Sequence, residues 1–563
     1  MKRKNRLTAI VLALVLVLGT ALSGCGQKPV AENTEKAEEQ SDVKDIEDTA
    51  QAEDAGEAVE SDAGESQSSA YLTTYGDKQF DNVTITVEIF DRSNAPEGST
   101  VTDNKWTEYV NQEMNKVGIT VEFVPVPRSE ETTKVQTMMA TGASPDIVFS
   151  YGDLYKQYYN DGGTYNLSEY VDGSDQARNL KEYVTDQVLD YGRNEKGELC
   201  AITARRSSCA MQNFFIRKDW LDELGLSIPT TTDELYTVLK AFKENYPDCV
   251  PYFSDWFQHS NLGAALSHSF LESVADEKSY NINSWNFIYQ DDGAAEYLRF
   301  MNKLYNEKLI DPEYYTISDV KSEAERLMVN GQGGVFELGV NYNVDTVRGS
   351  LLQTLKKSEP DAEYVSIAPF KNNLDGQIYN PAYSLNGFYM FIPKTAKNVD
   401  ACITYLDWLA TIEGGFTLYH GFEGEHFEYE DGIPVVKDIE YNASDKDWIN
   451  NDLFLVGNAG YYKTENEFNL ATAQGYGEWK DYVIDNYSNA TTGILRYTSV
   501  YSSEKQAEYA TELGLVNDEY MVKSVTCSPE EFDGIIEEWR AALKEAGADE
   551  VIEEYTNYYN SFE

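Results

Sequence analysis

The side chains best suited to chemistry in this sequence are aromatic. Among 563 residues there are 41 Tyr, 23 Phe and 8 Trp, and several stand in polar, turn-rich stretches where no helical stripe absorbs them. Trp256 ends Tyr252-Phe-Ser-Asp-Trp256, Trp285 sits in Asn283-Ser-Trp-Asn-Phe287, Tyr342 follows Gly339-Val-Asn, and Tyr383 precedes Ser384-Leu-Asn386. Flat, half-polar faces with Asn, Asp, Glu and Arg at their edges suit a ligand whose apolar C–H faces are ringed by hydroxyls, as in a sugar. Each ring also has a plain reading as core or lobe-interface packing.

Catalytic chemistry finds less support. With 96 Asp and Glu, carboxylate pairs occur everywhere and mean nothing for glycoside hydrolysis without their separation in space. Gly-x-Ser-x-Gly, Walker A, the dinucleotide Gly-x-Gly-x-x-Gly and His-Glu-x-x-His are absent from the sequence. The four histidines, His259, His268, His420 and His426, have no metal-ligand spacing, so no metal and no cofactor are expected. A chain without these motifs reads as a binder, not an enzyme.

The elements that would position such a site follow in order. Val83-Thr-Ile-Thr-Val-Glu-Ile-Phe90 alternates apolar residues with Thr and Glu, as a strand does. Trp106, Val110, Met114 and Val117 recur at helical spacing up to Gly118. Ile119 to Val126 is a second strand. Val135, Met138 and Met139 mark a helix closed by Gly142, and Asp146 to Phe149 is a third strand. Strand, helix, strand, helix, strand with short links implies a parallel sheet covered by helices, with ligands at the C-terminal strand ends. Those ends are Phe90-Asp-Arg92 and Ser150-Tyr-Gly152. The alternation resumes with a helix over Ala295–Leu309, a strand at Gly333–Glu337, a strand at Phe388–Ile392 and a helix over Val399–Leu409. Near the C-terminus, Ser528, Pro529 and Glu531 spell a capped helix start whose stripe is Phe532, Ile535, Trp539 and Leu543.

The front of the chain addresses a compartment. Lys2, Arg3, Lys4 and Arg6 precede an apolar run from Leu7 to Leu22, followed by Ser23-Gly24-Cys25, the pattern of a secretory leader. Cys25 makes it a lipoprotein leader, with an acylated N-terminal Cys holding the chain on a membrane surface without spanning it. Gly26 to Ala70 has 14 Asp or Glu, three Lys and no aromatic residue, a self-repelling tether that cannot bury enough apolar area to fold. The formal net charge of −51 argues against nucleic acid as a partner, since phosphate binding needs clustered Lys and Arg. Beyond Cys25 the cysteines are Cys200, Cys209, Cys249, Cys402 and Cys527, with no Cys-x-x-Cys; the sequence selects no pair among them.

Arg217-Lys-Asp-Trp-Leu-Asp-Glu-Leu-Gly-Leu226, then Pro229-Thr-Thr231, with the Thr231/Glu234 capping box opening a helix through Leu235, Val238, Leu239 and Phe242, resembles the family 1 extracellular solute-binding lipoproteins, the LipO-like substrate-binding proteins of carbohydrate ABC importers. Thr141 to Phe149, Tyr297 to Asp311, Ile392 to Asn398 with Tyr405 to Leu409, and Gly421 to Phe427 resemble further blocks of that family in the same order. The resemblance implies an α/β, type II periplasmic-binding-protein-like fold, with two Rossmann-like lobes around a hinged cleft and extra C-terminal helices. It also implies a monomer that takes an oligosaccharide or related solute to a permease, with a peptide binder or a surface glycoside hydrolase as the alternatives. Some relatives carry a calcium loop after the equivalent of Lys243; Glu244-Asn-Tyr-Pro-Asp-Cys-Val-Pro251 lacks its alternating ligands, so no calcium is carried over.

On that fold, residues 1–24 form the leader, 25–70 the anchor and tether, 71–205 and 384–440 the first lobe, 206–383 the second, and 441–563 a helical part mainly on the second. The crossings fall near Ala204–Gln212 and Tyr383–Gly387. The expected cleft residues are Phe90, Arg92, Tyr151, Arg206, Trp256, Trp285, Tyr342, Tyr383, Glu423 and His426. Arg206 also has a reading as a surface cation in an acidic protein.

Overall fold

The structure, a computed structural model, describes residues 79–561 except 153, 195, 257–263, 284–288, 340–350, 431, 458–463, 475, 498–500 and 502. The leader, Cys25, the tether, Trp285 and Tyr342 lie outside the described residues. Among the described residues, nine of the eleven strands build two sheets: β1 (Val83–Asp91), β2 (Ile119–Pro127), β3 (Val148–Ser150), β4 (Ile202–Arg205), β5 (Gln212–Arg217), β6 (Val250–Ser254), β7 (Gly333–Gly339), β8 (Tyr364–Ile367) and β9 (Asn386–Phe391); the other two, Phe427–Glu430 and Ile433–Val436, form a hairpin.

In the first sheet β1 and β2 run parallel from Val83↔Ile119 to Asp91↔Pro127. A parallel bridge from Val87 to Ile147 leads into β3, and β9 returns antiparallel between β3 and β4. The second sheet has the order β6-β7-β5-β8, with β6 parallel to β7 and β5 antiparallel to both neighbours. Each sheet has its own core. Ile85, Val87, Ile89, Trp106, Met114, Ile403 and Trp408 fill the first, joined by Leu453 to Val456. Phe214, Ile216, Leu239, Phe242, Tyr297, Met301 and Phe336 fill the second, joined by Trp539, Leu543 and Tyr555 of the C-terminal helices. Each such fully buried side chain contributes about 1.5–3 kcal/mol.

Local signals became the elements they name. The helix Thr232–Asn245 buries Leu235, Val238, Leu239 and Phe242. Thr231 Oγ1 accepts the Glu234 N–H at 3.2 Å, while the Glu234 carboxylate reaches back to the Thr230 N–H and hydroxyl, one residue earlier than a standard capping box. Gly142 ends the helix Glu131–Thr141 at φ +67°, a left-handed conformation that a side chain would strain.

Two expectations differ. The C-terminal helix spans Phe532–Glu545 and turns Ile536 inward, not Ile535, because either residue sits three or four places from both Phe532 and Trp539 and the neighbouring helices choose. Ser528 and Glu531 close a turn just before that helix. Glu88, on the polar side of the β1 alternation, is fully buried, because this sheet is covered on both faces.

The chain passes between the sheets along segments that hydrogen-bond to one another. The Arg206 N–H donates to Leu385 O at 2.8 Å, Tyr383 N–H to Cys209 O at 2.9 Å and Arg205 N–H to Val456 O at 2.9 Å. Glu465, first residue of the helix Glu465–Gln474, grips the first passage: its Oε1 accepts Ser208 Oγ at 2.8 Å and the N–H groups of Cys209 and Ala210 at 2.9 and 3.0 Å. Its Oε2 meets Arg496 at 2.5 Å.

Candidate functional site

β1 and β3 end side by side, and both chains turn away there, leaving a pocket of about 360 Å³. Tyr151, 44% exposed, forms one wall. Its ring lies nearly parallel to that of buried Phe90, centroids 6.0 Å apart, and meets Phe388 edge-on at 5.5 Å. The Arg128 guanidinium covers the Tyr151 ring at 4.4 Å and Phe90 at 5.0 Å, which fixes both planes. Trp448, half-buried, forms another wall. Its indole N–H is committed to Asp445 O at 3.1 Å and its carbonyl accepts Asn94 Nδ2 at 3.1 Å, so what it offers a ligand is ring surface.

Polar groups occupy the edges. Arg92 donates from Nε and Nη2 to the two oxygens of Asp452, at 2.7 and 2.8 Å. Asp452 is 5% exposed, and its carboxylate keeps the guanidinium protonated even more firmly than usual. Asp447 beside it is met by the buried Lys446 ammonium. Asn451 completes the rim with Asn94. Two aromatic walls with hydrogen-bond donors and acceptors between them suit a flat, polyhydroxylated molecule, by stacking and edge hydrogen bonds.

Behind Trp448 lies a supporting network. Asp445 O accepts a second indole N–H, from Trp106, at 2.9 Å. The Asp445 carboxylate meets His426 Nε2 at 2.9 Å. Since the Phe422 N–H points at His426 Nδ1, 3.0 Å away, Nε2 is the protonated nitrogen and donates to Asp445. Glu425, His426 and Asp445 bring ligand atoms within 4.8 Å of one another, the geometry of a cation site. The Lys105 ammonium already sits there, 2.8 Å from Glu425 and 3.2 Å from Asp445, and Tyr441 OH donates to Glu425 at 2.6 Å. One of the cluster's two negative charges is thereby matched by the ammonium, and both carboxylates accept hydrogen bonds from protein groups.

Of the expected cleft residues, Arg92 and Tyr151 line the pocket and Phe90 lies under Tyr151. Arg206 and Tyr383 come together at the passage between the sheets: the guanidinium stacks 4.6 Å above the ring and donates from Nε to Asn386 O at 3.3 Å. Trp256 is half-buried beyond β6, away from this pocket. Glu423 is exposed on the turn before Phe427, and His426 is wholly buried; neither lines the pocket, since that turn packs against Trp106 and acts through Asp445. Phe388, Asp447, Trp448, Asn451 and Asp452 escaped the sequence reading. Trp448 carries the mark used for Trp256, an aromatic in a polar run, within Lys446-Asp-Trp-Ile-Asn-Asn-Asp452. Nothing local links that run to Arg92, 360 residues earlier in the chain.

The model of the family described as bacterial extracellular solute-binding protein matches residues 98–415. Lipoprotein LipO of Bacillus subtilis is 26% identical over 342 residues, 56% of this chain and 63% of LipO's own length. The polygalacturonan/rhamnogalacturonan-binding protein YtcQ of the same organism is 22% identical over 460 residues, 76% of this chain and 83% of that protein. Among solved structures, the alginate-binding protein AlgQ2 superposes with a TM-score of 0.60 at 21% identity, over 87% of this chain and 100% of that one. An HMO-binding solute-binding protein from Bifidobacterium longum infantis gives 0.62 at 17% identity, over 85% and 99%. These likenesses and the strand orders above place the chain in the type II periplasmic-binding-protein-like fold. By its sequence match over more than half its length, this chain belongs to the bacterial extracellular solute-binding protein family.

Proposed function

We propose that this protein captures a carbohydrate, an oligosaccharide, in a cleft between its two lobes and hands it to the permease of an ABC importer. The pocket at the ends of β1 and β3 carries the reading: two ring surfaces, Tyr151 and Trp448, face a space edged by Arg92, Asn94, Asp447 and Asn451. Stacking on the C–H face of a pyranose and hydrogen bonds to its hydroxyls is the recognition this arrangement performs. The curated relatives named for a ligand point the same way, toward polygalacturonan or rhamnogalacturonan and fructooligosaccharide.

The lobes rotate about the passages near Arg205–Ala210 and Tyr383–Asn386, closing on the sugar. Cys25 anchors the chain, as a monomer on an acidic tether, to the outer face of the bacterial membrane. Among the described residues no helix is long and apolar enough to cross a membrane. Arg206 and Tyr383 form a second contact at the hinge. Calorimetry against panels of oligosaccharides and short peptides tests the assignment. Saturable binding of a glycan, with compaction in small-angle scattering, is expected; binding of peptides alone would refute it.

A further inference from the structure

We propose that the ligand is an uncharged oligosaccharide and that the pocket discriminates against uronates, an inference resting on the carbohydrate reading above. At the pocket each positive charge among the described residues is already matched. Arg92 spends two donors on both oxygens of Asp452, leaving Nη1 to donate to a hydroxyl. Lys446 lies against Asp447. Arg128, over Tyr151, stands 3.5 Å from Glu131 Oε2. The remaining polar edge, Asn94 and Asn451, is neutral.

A sugar hydroxyl can donate to Asp447 and accept from Arg92, and so satisfies this edge without adding charge. A uronate carboxylate has only acceptors. It would enter beside an Asp447 already paired with Lys446 and meet no cation that is not already shared, so the loss of its hydration goes uncompensated and selects against it. The formal net charge of −51 opposes its approach from a distance as well. Two similar proteins are named for acidic polymers, polygalacturonan and alginate; selectivity for neutral sugars is the point on which this chain is proposed to differ.

Arg206 lies apart from the pocket, at the passage between the sheets. Its guanidinium is half-buried on Tyr383 and faces no carboxylate among the described residues. A ligand reaching the hinge with an acidic group would find its partner there.

The test is calorimetry on the full-length protein in detergent, at low and high ionic strength, with neutral gluco-, manno-, xylo- and fructo-oligosaccharides, uronate oligosaccharides of equal length, and short peptides. The best neutral ligand is expected to bind at least about tenfold more tightly than any uronate, with the gap narrowing in high salt. Asp447→Asn, which keeps the shape and removes the nearest negative charge, should shift the ratio toward uronates. Uronates binding as tightly as neutral sugars would overturn the inference while leaving the carbohydrate reading intact, and loss of that binding in Arg206→Gln would locate the carboxylate. An unchanged ratio in Asp447→Asn would also count against it. Peptides binding where no glycan does would remove the carbohydrate reading itself.

Discussion

Replacing Glu88 with Gln should stabilise this protein at alkaline pH, and by an amount that depends on pH. Glu88 is fully buried in β1. Its Oε2 accepts the Phe149 N–H at 3.1 Å, which aligns β3 just before Tyr151, and Oε1 meets no partner. Burial, reinforced by nearby Glu131, pushes its pKa from 4.5 up to about 8. The fold therefore holds the neutral acid while the unfolded chain ionises above pH 4.5. Stability is complete below that value and falls by about 1.4 kcal/mol per pH unit until the folded group also ionises. That amounts to about 3 kcal/mol lost at pH 7 and about 5 kcal/mol above pH 8. Gln has the same shape, keeps an oxygen for Phe149 and does not titrate; its amide leaves two N–H donors unpaired where the protonated acid leaves one, a pH-independent cost of about 1–3 kcal/mol. Urea unfolding of both proteins between pH 4 and 9 should show the Gln protein the less stable at pH 4, with the difference swinging in its favour by about 5 kcal/mol through pH 8. A gap independent of pH, or a wild-type protein more stable at pH 8, would refute the reasoning.

Further outcomes follow from the same geometry. Trp448→Ala and Tyr151→Ala should each weaken glycan binding by about 1–2 kcal/mol in calorimetry; a loss of unfolding free energy without loss of affinity would return the ring to a packing role. Glu465→Ala removes the carboxylate that grips Ser208, Cys209 and Ala210, so interlobe fluorescence distances in the ligand-free protein should broaden and ligand dissociation should quicken, whereas Glu465→Gln, which keeps an acceptor, should fall between. Unchanged distances in Glu465→Ala would place the bend elsewhere. Cys25→Ser should move the protein from the membrane fraction to the medium, and its retention in the membrane would show a second attachment.

Short-range signals determined much of this molecule. The alternation from Val83 to Phe90, the stripe Leu235, Val238, Leu239 and Phe242, and the stops at Gly142 and Gly225 each act within a few residues, and the elements formed there. The strand ends Arg92 and Tyr151 were legible for the same reason, because parallel βαβ connections deliver ligand groups to one edge of a sheet. Tertiary structure decided what depends on neighbours distant in sequence. Glu88 looks like a solvent-facing residue of an alternating strand until a second layer covers its face, and Ile535 and Ile536 are equivalent until a packed helix selects one. His426 reads as a loop histidine, yet Phe422 and Asp445 hold both of its nitrogens in the interior. Half of the pocket comes from Asp447 to Asp452, held to β1 by an ion pair between residues 360 positions apart. The pairing of Arg92 with Asp452, which decides how much charge the site presents, is a product of packing between segments that no local window of sequence contains.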